Sequence, residues 1–173
     1  MSNQFATDGK LGVNVLQVDD VSSSNQNLNF PKGQQPLGTK FEGANGGIWV
    51  YCSLPAITQI GSVCVIDPTT WAATLATTAN SPFGQRLGVA PALASAGNYG
   101  WLQQAGVIDN LYVGASCAAN VRLNTTATAG MLDDDGTVGA KTALGLTITS
   151  ARAASNGVAP GQCAAEASVG PTL

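Results

Sequence analysis

The chain has 173 residues, 7 of them Lys or Arg and 10 Asp or Glu, giving a formal net charge of −3, and it contains no histidine. A chain this long buries roughly 70% of the surface its extended form exposes, so it needs neither metal nor disulfide to fold. The missing histidine excludes the Ser-His-Asp and Cys-His constellations, the usual general base and the commonest zinc ligand, and the few basic residues are too scattered along the chain to make a nucleic-acid patch.

In chain order, residues 1–36 read as an extended N-terminal arm and 37–173 as the body. Met1-Ser2-Asn3-Gln4-Phe5 lacks the basic region and apolar core of a signal peptide, which predicts synthesis in a cytoplasm. No run reaches about 18 apolar residues, which predicts no membrane span. The arm is rich in Ser, Asn and Gln, and only Leu11-Gly12-Val13-Asn14-Val15-Leu16-Gln17-Val18 carries a strand pattern. Alone, such a segment does not offset its ordering entropy. The expectation is a strand ordered by the body or by a partner subunit, with Leu11, Val13, Val15, Leu16 and Val18 as its docking residues.

The body opens with a hairpin signal, Asn45-Gly46-Gly47, followed by the strand Ile48-Trp49-Val50-Tyr51-Cys52. Pro55 makes residues 54–60 a loop or edge segment. Residues 62–67 form a nearly continuous apolar strand, and residues 71–76 are read as strand on their Thr-rich flank. The organising stretch is 87–122, read as strand, turn, strand, turn, strand. Around Tyr99-Gly100-Trp101-Leu102 the residues Tyr99, Trp101 and Gln103 fall on one face, Leu102 and Gln104 on the other. Gly106 reads as a bulge or bend and Asp109-Asn110 as a turn. Asp133-Asp134-Asp135-Gly136 reads as another turn, residues 143–149 as a strand, 151–161 as a small-residue loop around Pro160, and 162–169 as the last strand. Strand signals about every 10 residues, separated by Gly and Pro turns, predict an all-β fold, an antiparallel barrel or sandwich.

Candidate sites are few. The three aspartates could offer oxygens to a divalent cation, but they lack EF-hand spacing, and a solvated acidic turn is the preferred reading. Cys52, Cys64, Cys117 and Cys163 contain no CxxC pair, which predicts buried free thiols in place of two disulfides or a four-thiolate zinc site. No catalytic residue, metal or cofactor is expected. Trp49, Tyr51, Trp71, Tyr99, Trp101 and Tyr112 could stack sugars, but strand aromatics more often anchor a core or an oligomer interface. Charged residues are 10% of the chain, against a usual ~25%, which suits a surface packed against neighbours because few charges are desolvated on docking.

One resemblance adds to this. Leu37-Gly38-Thr39, Gly46-Gly47-Ile48-Trp49-Val50-Tyr51, Ile57-Thr58-Gln59 and Val63-Cys64-Val65-Ile66-Asp67 come first. Gly88-Val89-Ala90, Tyr99-Gly100-Trp101 and the run from Leu123-Asn124-Thr125-Thr126 through Ala129-Gly130-Met131-Leu132 to Asp133-Asp134-Asp135 follow. This order resembles small virion proteins of tailed bacteriophages, most of all their head decoration (cement) proteins, over roughly residues 37–150. The arm is not covered, and the four cysteines depart from the pattern. The resemblance implies a protein made in a bacterial cytoplasm and carried on the capsid surface of the virion. Its partners would be the major capsid protein and further copies of itself, a trimer ahead of a dimer, with no direct contact to nucleic acid or membrane. The reading from another class is a carbohydrate-binding or host-attachment module on a fibre or tail.

Overall fold

Period-two alternation lets one strand serve two cores at once, and the sheet of this protein is built on that property. The computed structural model describes residues 14–19 and 35–173, and they are nearly all β. The strands are β1 Val18–Asp19, β2 Lys40–Glu42, β3 Ile48–Ser53, β4 Val63–Ile66, β5 Ala73–Leu75, β6 Arg86–Val89, β7 Tyr99–Val113, β8 Leu123–Thr125, β9 Leu132–Asp133, β10 Lys141–Ile148 and β11 Gly157–Thr172.

Six of them close a barrel: β6, β7, β9, β8, β10 and β11, with β11 pairing back to β6. Only the β7–β9 pairing in this ring is parallel. β11 lies beside β7 over residues 157–163 and then parts from it, and β6 enters the gap and pairs with both. Two wings extend from the barrel, β2–β3 from β7 and β4–β5 from β6. The all-β class holds, and of the two forms the strand spacing allowed, barrel or sandwich, the structure has the barrel, antiparallel but for the β7–β9 pairing.

Three cores follow from the alternation. Leu87 and Val89 of β6, Val63 and Val65 of β4, and Ile108, Leu111 and Val113 of β7 belong to the barrel core, with Leu123, Leu132, Leu146 and Ile148. The residues between them, Cys64 and Ile66 of β4, face a second core shared with Val50 and Cys52 of β3 and Leu102 of β7. β4 is therefore buried on both faces, which is why its sequence Val-Cys-Val-Ile lacks polar alternation. The other face of β3 and β7 carries Trp49, Tyr51 and Trp101 in a third, aromatic core.

Two readings of the chain are corrected. Asp109-Asn110 is not a turn: β7 runs unbroken for 15 residues from Tyr99 to Val113. Residues 157–161 are not loop: they begin the 16-residue strand β11, which extends to Thr172. The two errors have one cause. Leu111 pairs with Ala159 and Ile108 with Gly161, so Asp109 and Asn110 stand together opposite Pro160. This is a β-bulge placed where proline has no N–H to give the ladder. The proline's carbonyl is still used, accepting the Thr149 N–H at 2.9 Å. The strand read at 71–76 is shorter, Ala73–Leu75. Trp71 instead sits at φ +56 in a turn closed by Asp67, whose carboxylate accepts the N–H groups of Thr69 and Thr70, each at 2.8 Å.

Gly106 is the bend expected there, with φ +91; the bulge itself lies two residues earlier, at Gln104, since Ile48 pairs with Ala105 and Trp49 with Gln103. A Cβ at Gly106 would lie 2.7 Å from the Gly47 backbone. Gly97 has a similar φ of +84 but open space around it. Gly106→Val is expected to cost roughly 3–4 kcal/mol, strain plus clash, and Gly97→Ala only the left-handed strain of roughly 1–2 kcal/mol. Urea unfolding of the two variants measures the difference.

Candidate interaction site

Residues 14–19 return to the body as a fifth strand neighbour of β7. Gly100 pairs with Cys52 of β3 on one side and with Val18 of β1 on the other. A Cβ at Gly100 would stand 2.9 Å from the Leu54 side chain, so glycine leaves room there for Leu54, while the Gln17 carbonyl would lie at an ordinary contact distance of 3.5 Å. The Asn14 side chain accepts the Leu16 N–H at 3.1 Å and closes a local turn. That turn drives Val15 into the aromatic core, where it is 2% exposed beside Trp49, Tyr51 and Trp101, and leaves Leu16 56% exposed. The Tyr51 hydroxyl donates to Asp19. Phe41 meets Trp101 edge-on with ring centroids 4.9 Å apart, and Tyr51 lies 5.0 Å from the same ring.

The expected docking residues therefore divide. Val15 is a buried anchor, Val18 is half-buried against the second core, and Leu16 points outward. Leu11 and Val13 lie outside the described residues. Among the aromatics, Trp49, Tyr51 and Trp101 are buried in the chain's own core and Tyr99 packs at its edge. Trp71 and Tyr112 sit elsewhere, both half-buried.

Beside the docked segment runs a shallow groove lined by Val15, Gln17, Leu54, Ile57, Ala90 and Ala92, among others. Its rim is apolar. Leu16 stands between two lining residues, Leu93 follows Ala92, and Ile60 precedes Gly61, whose N–H donates to the Ala90 carbonyl at 2.9 Å. Leu93 is 53% exposed and Ile60 37%.

A second apolar surface closes one end of the barrel. The turn before β6 carries Phe83, the loop before β10 carries Val138, and Leu173 follows β11. These segments adjoin. Gly84 N–H donates to the Val169 carbonyl at 2.8 Å, Leu173 N–H to Ala140 at 2.9 Å, and Thr78 lies against Gly139. Phe83 is 75% exposed and Val138 99%. Pattern reading missed this surface because its residues sit singly in three loops.

The charged residues knit the wings to the barrel. Between Leu144 and Leu146 the β10 register jumps from Ser168 to Cys163, so β11 bulges outward over 164–167. The bulge carries Glu166 to Lys40 of β2 and to Arg86, 3.8 Å away. Arg86 in turn lies over the Trp71 ring, 5.8 Å from its centroid. The Lys40 hydrogen bond is the main cause holding the Glu166 carboxyl below its ordinary range.

Cys117, Asp133 and Asp134 bring one thiol and two carboxylates within 4.8 Å of one another, the set best placed among the described residues to hold a cation. Local bonds already use it. Asp134 accepts the Ala118 N–H at 2.9 Å, which lowers its pKa and ties the loop after β7 to β9. Burial raises Asp133. Burial, then the Asp134 charge, pushes the Cys117 thiol up to about 11, so it is protonated at neutral pH and a poor ligand. None of the four cysteines forms a disulfide and all are buried, and burial pushes Cys52 and Cys64 up to about 12.

No protein-family model matches the chain, and no curated protein matches it.

Two measurements probe these features. A thiol reagent is expected to label none of the four cysteines in the native protein and all four in denaturant. Glu166→Gln is expected to lose no more than about 1 kcal/mol at pH 7, because the pair is over a third exposed and solvent screens it. A lowered carboxylate pKa stabilises above the ordinary glutamate value of about 4.3. The difference between wild type and variant is therefore expected to vanish as pH falls through the lower folded value, read by thermal melts at pH 7 and pH 3.

Proposed function

We propose that this chain is a virion structural protein of the head-decoration type. In this reading the barrel seats on the outside of an icosahedral shell, against the major capsid protein where capsomers meet, and holds the shell against internal pressure. The supporting observation is the apolar end of the barrel. Phe83 and Val138 stand almost bare on adjoining loops of a closed, tightly packed scaffold, on a chain with very few charges to desolvate. Exposed large side chains grouped in this way mark contact surfaces. Repetition over a symmetric shell would turn a modest contact into high avidity. A symmetric oligomer, a trimer first, fits such a lattice.

Carbohydrate binding by the strand aromatics has less support, since Trp49, Tyr51 and Trp101 are 1–4% exposed and offer no face to a sugar.

The test is co-sedimentation with expanded, DNA-free heads of the phage that encodes the chain. Wild type is expected to bind stoichiometrically. Phe83→Asp, with its fold checked by circular dichroism, is expected to bind at least about tenfold more weakly, because burying one Phe is worth roughly 1.5–3 kcal/mol. No binding to heads, or equal binding by both proteins, refutes the reading. Retention on a glycan array in place of heads moves the assignment to host attachment.

A further inference from the structure

We infer that the site on β7 where residues 14–19 dock is an exchange site, filled by residues 14–19 of a second copy of this chain. The site accepts that segment through two interactions. One is strand addition, with Val18 opposite Gly100 and Asp19 opposite Tyr99; the other is the insertion of Val15 among Trp49, Tyr51 and Trp101. Both are equally available to an identical segment arriving from another copy. The intervening stretch, 20–34, counts 15 residues (34 − 20 + 1) and contains Ser22-Ser23-Ser24-Asn25-Gln26-Asn27. Fully extended it spans at most about 50 Å, enough to reach that site on an adjoining barrel.

The rim argues for the second copy. With the segment docked, Leu16, Leu93 and Ile60 remain 56%, 53% and 37% exposed around one groove. Docking within one chain leaves them in water. Exchange brings two barrels together at this rim and covers them, in a contact each copy makes on the other, as a closed symmetric oligomer requires. Asp19 is the one charged side chain of the segment, and Gln17 donates to it at 3.2 Å, so little charge is desolvated.

The inference does not depend on a capsid, and its test uses the purified full chain. Light scattering on a sizing column is expected to show wild type as an oligomer and Val15→Asp as a folded monomer by circular dichroism. A monomeric wild type, or a Val15→Asp protein in the same oligomeric state, overturns the inference. Separately, Gln17→Cys and Ala92→Cys are made as two single variants, since both positions line the groove. Mixed and oxidised, they are expected to give a disulfide joining two chains, found by non-reducing electrophoresis and peptide mass spectrometry. A mixture that gives no 17–92 disulfide between chains overturns the inference whatever the oligomeric state.

Discussion

Nearly everything in this protein hangs from the two hydrogen-bonding edges of β7. One edge carries β3 and then β9; the other carries β1, β6 and β11 in succession. A strand exposed on either edge would offer unpaired backbone groups to other chains, and β7 escapes this by having a neighbour along most of its length. Fifteen residues at about 3.3 Å each give roughly 50 Å of strand, longer than one sheet face needs. The two bulges, at Gln104 and at Asp109-Asn110, divide that length. Before them the strand lies between the aromatic and second cores; after them it lines the barrel.

Much of this was legible in the residues. Alternation placed Trp101 and Leu102 on opposite faces of one strand, and the strands around Trp49, Cys64 and Leu146 stand close to where their β-branched and apolar runs put them. The failures were local and physical. Asp109-Asn110 and Pro160 each look like a break, because Asp, Asn and Pro are turn residues when read alone. Only together, across the ladder, do they make a bulge, and pairing between residues so distant in sequence leaves no local trace. The same holds for Glu166, an ordinary surface glutamate until its bulge carries it to Lys40, 126 residues away.

The candidate site was legible in part. The segment around Val15 and Val18 was recognisable as a strand in search of a partner, and Trp49, Tyr51 and Trp101 as anchors. That they meet in one core depends on the Asn14 turn and on the pairing of Val18 with Gly100, long-range contacts that leave no mark in the sequence. Burial of Gln104 was not foreseeable as a cost. Its amide is fully buried with neither end bonded, at a position where the alternation demands an inward residue. An unpaired buried amide destabilises by about 1–3 kcal/mol, a sign that packing alone did not choose this residue.

The place of β11 in the chain bears on how the molecule is made. β7, β6 and β10 all pair with it, and it is made after every one of them. Until residues 157–172 emerge, the barrel stays open and the inward faces of β6, β7 and β10 remain wet. The wings can assemble early, since β2 with β3 and β4 with β5 are near in sequence, but the ring closes only in one late, long-range step. Such a topology folds slowly and leaves sticky edges during synthesis. The nascent chain is therefore most exposed to aggregation just before β11 docks, and mutations in β11 would act on folding yield before they act on the finished molecule.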